Sequence, residues 1–159
     1  MIRIRSEEEI LAPCERCFDL ARSIEFHQAS ARPIRGRAVA HRIAGLAGPG
    51  DKTTWSARFF GMRFALTTQI GDFDRPRCFS DLLCAGLFTH FGHLYTFQST
   101  GDNRTVMTDD FFFQSPFGPL GAAFDAIILR RRMRAVAAFR VGCLKRAAES
   151  SEWKKYMPA

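Results

Sequence analysis

The segment KTTWSARFFGMRFALTTQI, at Lys52–Ile70, shows the strongest strand pattern in the chain. Apolar side chains alternate with polar ones on both sides of Phe60-Gly61, a dipeptide typical of a tight turn. A two-residue turn there pairs Trp55 with Leu66 and Ala57 with Phe64, which puts both apolar sets on one face. The segment is therefore predicted to be a β-hairpin with one buried face.

Towards the N terminus the pattern is mixed. Ile2, Ile4, Ile10 and Leu11 indicate a first strand that ends at Pro13. Cys14–Ala21 and Ile24–Gln28 then have the spacing of two short helices. Residues 29–50 are rich in Arg, Gly, Ala and Pro and are not placed, although Val39, His41 and Ile43 alternate as in a short strand.

Towards the C terminus, Cys78–Cys84 is predicted as a strand, and Phe88–Gln98 with Arg104–Gln114 as a second hairpin. Short turns between six or seven strands indicate an antiparallel meander. Leu120–Ala148 lacks proline and strand alternation, which predicts one long helix, and Ser150–Ala159 is predicted as a tail. The chain is thus expected to be an α+β protein, with a single domain over residues 1–149 and its helix packed on the sheet.

The composition favours a single core that contains a cavity. The chain has 159 residues, and 47% of them are hydrophobic, which is enough for one domain without disulfides. Sixteen phenylalanines accompany only two tyrosines and two tryptophans. So many aromatic rings without polar tips are more than a packed core needs, and they indicate an apolar pocket.

The five cysteines are odd in number, and Met1–Arg5 does not begin an apolar leader, so we expect a reduced, cytoplasmic protein. No apolar run is long enough to cross a bilayer. Cys14 and Cys17 have the spacing of half a zinc or redox site, but no second half-site follows. We therefore expect no metal and no cofactor.

The net charge is +7, and most of the excess is expected on the C-terminal helix. Residues 120–148 contain seven Lys or Arg and one acid, Asp125. No zinc-finger, helix-turn-helix or RNA-recognition pattern accompanies these charges. A nucleic-acid partner is therefore not expected.

The order of several short motifs resembles the START-like, or SRPBCC, superfamily of polyketide cyclases/dehydrases, lipid-transfer and ligand-binding proteins. The motifs are the entry Ile10–Asp19, the turn Phe73–Phe79, the aromatic strand Phe91–Phe97, and Thr105–Asp109 leading to Pro116–Gly121. The resemblance implies the helix-grip fold, a curved sheet wrapped round the C-terminal helix, with two short helices after the first strand. It also implies an apolar cavity for a lipid, quinone or polyketide, but it does not fix a reaction.

In the second predicted hairpin, two ionisable residues occupy positions that point to the same face of the sheet as the aromatic residues. If its turn is centred on Gly101, His93 lies opposite Asp109, and Tyr95 opposite Met107. A carboxylate on an apolar face is costly unless it has a partner. The sequence therefore predicts a His93–Asp109 contact, which could be structural, could anchor a ligand, or could act as a general acid and base.

Arg140 lies near the middle of the apolar arc of the predicted helix, between Ala137 and Leu144. It needs an acid or a ligand oxygen there, and Asp81 or Asp109 could provide one, unless its head reaches solvent. The predicted ligand-binding residues are those that face the apolar side of the sheet or helix: Trp55, Phe59, Phe64, Leu66, Phe91, His93, Tyr95, Met107, Asp109, Phe111, Phe113 and Arg140. His27 could belong to the cavity entrance.

The first half of the helix has its apolar arc on the opposite side, with Leu120, Phe124, Ile127 and Ile128. Either the helix bends near Leu129 or it exposes an apolar stripe. The neighbouring Arg130, Arg131 and Arg134 could then contact an anionic membrane peripherally, or they could form a solvated face.

The favoured function is therefore the binding or carrying of a small apolar molecule, without catalysis. One alternative is an aromatase/cyclase type of enzyme that uses His93 and Asp109. Another is a quinone or lipid chaperone that docks on membranes. The oligomeric state, monomer or homodimer, is left open.

Overall fold

The computed structural model describes residues 1–158, and a seven-stranded antiparallel sheet forms its largest part. The strands are β1 (Ile2–Ile10), β2 (Arg37–His41), β3 (Lys52–Phe59), β4 (Met62–Asp74), β5 (Cys78–Gly86), β6 (His90–Gly101) and β7 (Arg104–Gln114). From β2 to β7 each strand pairs with the next in sequence, and β1 pairs with β7. The predicted meander is confirmed.

The β3–β4 hairpin has the predicted register. Trp55 pairs with Leu66 and Ala57 with Phe64. Phe60 and Gly61 both have positive φ angles, 50° and 78°, as a two-residue hairpin turn requires. Trp55, Ala57 and Phe59 are buried on the inner face, so the alternation seen in the sequence corresponds to the two faces of the sheet.

Two short helices follow β1, as predicted. They are α1 (Cys14–Ala21) and α2 (Ile24–Ser30). Ser23 caps α2, because its hydroxyl accepts a hydrogen bond from the Phe26 amide at 3.3 Å. The unplaced segment 29–50 contains a short 3₁₀ turn and β2, which lies at the edge of the sheet.

The long C-terminal helix is continuous but not uniform. It consists of α3 (Gly118–Phe124), a π-helical turn (Asp125–Leu129) and α4 (Arg130–Glu149). A π turn is wider than an α-helical turn, and the change of apolar face occurs at this turn. Leu120 before the turn and Ile127 within it are exposed, whereas Met133 after it is buried. The exposed apolar stripe is therefore real.

The core forms where the helices pack on the concave face of the sheet. Phe18 of α1 is fully buried and makes edge contacts with Phe73, Phe79 and Phe97, at centroid distances of 5.2 to 5.5 Å. Burying one such ring contributes about 1.5–3 kcal/mol. A second cluster, which includes Phe111 and Met133, lies towards the π turn.

The predicted C-terminal tail is folded against the first helices. Residues Ser151–Tyr156 form a 3₁₀ helix, and the Ser23 hydroxyl donates to the carbonyl of Tyr156 at 2.9 Å. The Tyr156 ring contacts Phe26 edge-on at 5.3 Å. Within residues 1–158, no helix is long and apolar enough to cross a membrane.

Candidate functional site

A small cavity lies between the sheet and α4, at the junction of the two core clusters. Its volume is about 60 Å³, enough for a few water molecules or one end of a ligand. Among the predicted ligand-binding residues, those that line it are Trp55, Phe59, Leu66, Phe91, His93, Phe111 and Arg140. We call this space the inner cavity.

A larger and almost wholly apolar pocket opens next to the inner cavity. Its volume is about 470 Å³, within the range of small-molecule sites. It lies between the β3–β4 turn, the segment between β5 and β6, and α3, and we call it the mouth pocket. Ala57, Phe59 and Leu66 line both spaces. The predicted residue Phe64 lines only the mouth pocket, so the two spaces are neighbours that share part of their lining.

The remaining predicted residues lie behind the inner cavity. Tyr95, Met107 and Asp109 line a small recess on the far side of Arg140. Phe113 does not line the inner cavity or the mouth pocket; it is fully buried and packs against Phe88 and Phe111. Phe113 was correctly predicted to face the apolar side of the sheet, but at its end of β7 the neighbouring aromatic rings fill the space.

The predicted contact between His93 and Asp109 is present. The Nδ1 atom of His93 lies 2.8 Å from Oδ1 of Asp109, and both side chains are buried. The imidazole is held between the rings of Phe111 and Tyr95, at centroid distances of 4.4 and 5.4 Å. His93 lines the inner cavity, and with Asp109 on Nδ1 its Nε2 atom makes no hydrogen bond to another residue of 1–158.

The predicted register of this hairpin is wrong by two residues. His93 pairs with Phe111, and Tyr95 pairs with Asp109, so the His93–Asp109 contact is diagonal. The turn is formed by residues 102 and 103 rather than centred on Gly101, and Gly101 lies in a bulge. Asn103 takes the left-handed conformation that the turn needs. A shift of two residues keeps each side chain on its face, which is why the contact survives.

Arg140 reaches the site from α4, but its partners differ from those predicted. Its Nη2 donates to Nδ1 of His27 at 3.0 Å and to the Tyr95 hydroxyl at 3.3 Å. It forms no ion pair with Asp81 or Asp109, so of the predicted alternatives neither acid is its partner, and the alternative of a ligand oxygen stays a prediction. The Nε–H is buried and has no hydrogen-bond partner within residues 1–158. A buried donor without a partner is costly.

His27, which the sequence connected with the cavity entrance, lines the inner cavity. Its ring stacks on Trp55 at a centroid distance of 3.9 Å. Burial lowers the pKa of His27 well below its usual value, and the positive charge of Arg140 lowers it further. His27 is therefore neutral near pH 7 and accepts the hydrogen bond from Arg140. No local pattern indicated this role, because the two residues are far apart in sequence.

Asp81 adds a carboxyl group to the inner cavity. It lies directly opposite His93 in the β5–β6 pairing. Burial raises the pKa of Asp81, although Thr68 and the charges of His93 and Arg140 partly offset that effect. The inner cavity thus combines an arginine, two histidines and an acid with aromatic walls.

The five cysteines are free thiols that range from buried to exposed. Burial raises the pKa of Cys17 to about 11. A thiol with such a pKa is a poor nucleophile and metal ligand at neutral pH. Among residues 1–158, no group of three or more His, Cys, Asp or Glu side chains is placed to hold a metal ion.

Comparison with solved structures identifies the fold. TTHA0849 from Thermus thermophilus superposes with a TM-score of 0.74 and 17% identity, covering 92% of this chain and 97% of that one. A START superfamily protein from Mycobacterium smegmatis gives 0.63 and 13%, covering 96% and 98%. Norcoclaurine synthase from Thalictrum flavum, in complex with dopamine and hydroxybenzaldehyde, gives 0.61 and 14%, covering 91% and 84%.

These similarities confirm the START-like helix-grip fold that the sequence motifs indicated. No protein-family model matches the chain, and no curated protein matches it in sequence. At such low identity the similarity establishes the architecture alone. Function has to be argued from the side chains of the site.

Proposed function

We propose that this protein binds a small molecule with an apolar body and an oxygen-bearing polar end. The observation that carries the proposal is the unpartnered Nε–H of Arg140, whose side chain lines a cavity that adjoins an apolar pocket. The body of the ligand occupies the mouth pocket, and its oxygen accepts a hydrogen bond from Arg140. The norcoclaurine synthase structure, which holds two small aromatic molecules, supports this use of the fold.

The volumes of the two spaces favour this division of the ligand. The inner cavity, at about 60 Å³, is too small for more than a polar group with a few atoms. The mouth pocket, at about 470 Å³, suits a bicyclic ring or a short acyl chain. Since Ala57 lines both spaces, we infer that the path of the ligand runs beside it, and a larger side chain at this position would obstruct that path.

Two naphthalene probes test the proposal by isothermal titration calorimetry. We expect 2-naphthol to bind at least about tenfold more tightly than naphthalene, because a hydrogen bond from a charged donor contributes about 1.5–3 kcal/mol. Arg140→Met should remove this preference and leave naphthalene binding unchanged. Equal affinities of the natural protein for the two probes would contradict the proposed role of Arg140.

A pair of substitutions on one hairpin tests the location. Ala57→Leu should block the path and weaken the binding of 2-naphthol. Ala65→Leu is the matched control, because Ala65 lies on the outer face of β4 and is exposed. If Ala57→Leu binds the probe as well as Ala65→Leu does, the ligand does not use this path.

A second candidate function is proton transfer, and the His93–Asp109 contact favours it. Asp109 accepts from Nδ1–H, and so Nε2 of His93 is free to remove a proton from a ligand in the inner cavity. Hydrogen–deuterium exchange at the α-carbon of 2-tetralone, followed by NMR, tests this function. If exchange is no faster than in buffer, or is unchanged in His93→Asn, proton transfer by His93 is contradicted and binding remains the only proposed function.

A further inference from the structure

Apolar side chains are exposed together around the mouth pocket. They come from three parts of the chain: the β3–β4 turn, the segment between β5 and β6, and residues 117–127, which include α3 and the start of the π turn. The exposed side chains are Phe60, Met62, Leu87, Phe117, Leu120 and Ile127, and the last three are 76–80% exposed. Single exposed apolar residues are ordinary, but a contiguous group marks an interaction surface. We call this group the mouth rim.

Arginines lie on both sides of the mouth rim. On one side Arg58 and Arg63 face each other across the β3–β4 hairpin, next to the turn. On the other, Arg130, Arg131 and Arg134 are exposed on the first turns of α4. Within residues 1–158 none of these five arginines forms an ion pair with a carboxylate. The sequence indicated that most of the basic excess lies on the C-terminal helix, but the β3–β4 hairpin contributes two further exposed arginines to this surface.

The two sides are connected through aromatic contacts. The guanidinium carbon of Arg132 lies 5.8 Å from the ring centroid of Phe60, and Phe60 contacts Phe124 at 6.0 Å. The segments that form the surface, residues 52–71, 82–101 and 115–148, contain a single acid, Asp125. Asp125 is buried and accepts hydrogen bonds from Ser115. The exposed surface of these segments thus carries no acidic side chain.

We propose that the mouth rim and its flanking arginines dock on a bilayer that contains anionic lipid. Exposed Phe and Leu side chains insert at the boundary between head groups and acyl chains, while arginines contact the phosphates. A second copy of the chain fits poorly, because the surface would place arginines against arginines. A nucleic acid would neutralise the arginines but would leave the apolar side chains exposed. Docking would open the mouth pocket towards the bilayer, and it does not depend on what the pocket binds.

Vesicle flotation tests the docking. The probes are vesicles of phosphatidylcholine alone and of phosphatidylcholine with phosphatidylserine. We expect binding to the anionic vesicles at low salt, weaker binding at high salt, and little binding to phosphatidylcholine alone. Removing the charge of Arg130 and Arg134 by substitution with Gln should lower the partition coefficient by about fivefold for each arginine.

Matched substitutions separate the apolar and basic contributions. Leu120→Ser with Ile127→Ser should weaken binding to anionic vesicles, and both side chains are too exposed for the change to disturb folding. The controls are Leu11→Ser, at an apolar position that is also exposed, to 57%, and Arg104→Gln, at the β6–β7 turn. Both control positions lie at the end of β7 that is away from the mouth pocket, and neither change should affect binding.

Two outcomes would overturn the proposal. One is the absence of binding to anionic vesicles at low salt, or binding that the mouth-rim and arginine substitutions leave unchanged. The other is a dimer in analytical ultracentrifugation that Leu120→Ser with Ile127→Ser dissociates, which would assign the surface to a second copy. Either result leaves the binding of 2-naphthol in the cavity untouched, so the two proposals fail separately.

Discussion

His27 lies flat against Trp55, with ring centroids 3.9 Å apart and ring planes inclined by 26°. The same imidazole accepts a hydrogen bond from Arg140 at 3.0 Å. One neutral histidine therefore connects α2, β3 and α4 at the wall of the inner cavity. Since only the neutral ring can accept this bond, the arrangement is sensitive to pH.

The first prediction concerns acid stability. The pKa of His27 is lowered in the folded protein by burial and by Arg140, whereas in the unfolded chain it stays near 6.5. Below about pH 6.5 the unfolded state binds a proton that the folded state excludes, so the free energy of unfolding decreases as the pH falls. The limiting slope for one proton is about 1.4 kcal/mol per pH unit.

Urea unfolding between pH 7 and pH 5 measures this slope. The variant His27→Gln retains a side-chain acceptor for Arg140 but cannot titrate, so its stability should change less over this range. His41→Gln is a suitable control, because His41 is exposed at the end of β2. Equal slopes in the natural protein and in His27→Gln would show that His27 titrates normally.

The second prediction concerns Trp55, which is buried and donates from Nε1 to the Thr68 hydroxyl at 3.2 Å. Trp55→Ala removes the ring, the stacking on His27 and this hydrogen bond. Such changes in cores cost about 3–5 kcal/mol, and we expect the lower end because the ring borders an existing cavity. Trp55→Phe should cost clearly less. Denaturant titration of both variants measures the difference, and a loss below about 1 kcal/mol for alanine would contradict the packing described.

The hairpins show how far local sequence determines the fold. Trp55 and Leu66 were placed correctly because Phe60-Gly61 allows one short turn, and apolar parity then fixes the faces. In the second hairpin Gly101 could belong to the turn or to a bulge, and the two choices differ in register. Parity cannot distinguish registers that differ by two, so the aromatic face was predicted correctly but the cross-strand partners were not.

The candidate site was only partly predictable for a related reason. Arg140 was assigned to the buried face of its helix from periodicity, and the structure agrees. Its partner His27 lies on another helix, more than a hundred residues earlier, and helical spacing says nothing about which distant helix packs there. Tertiary packing therefore decides the polar contacts, while local patterns decide which side chains point inward.

The third prediction concerns Asp81. Burial raises the pKa of its carboxyl in the folded state, whereas the unfolded carboxyl titrates near pH 3.9. Above about pH 4 the folded state holds a proton that the unfolded state has released, so Asp81 lowers stability as the pH rises. The free energy of unfolding of Asp81→Asn, compared with that of the natural protein, should therefore be more favourable to the folded state at pH 7 than at pH 4. Thermal unfolding of both proteins at the two pH values measures this difference. If the variant is less stable than the natural protein at pH 7, the ionised carboxylate is stabilising.

The last prediction separates a structural role of the His93–Asp109 contact from a chemical one. The two side chains are buried, with Nδ1 and Oδ1 2.8 Å apart. Asp109→Asn keeps an acceptor for Nδ1–H and should cost little, whereas Asp109→Leu leaves that donor unsatisfied and should cost about 1–3 kcal/mol. Asp110→Leu is the matched control, since Asp110 points to the other face and makes only a surface contact with Arg5, worth less than about 1 kcal/mol. If Asp109→Leu costs no more than Asp110→Leu, the contact does not stabilise the fold.

A chemical role of the pair is tested by the hydrogen–deuterium exchange of 2-tetralone. If both Asp109 substitutions abolish this exchange while 2-naphthol still binds, the pair is assigned to proton transfer.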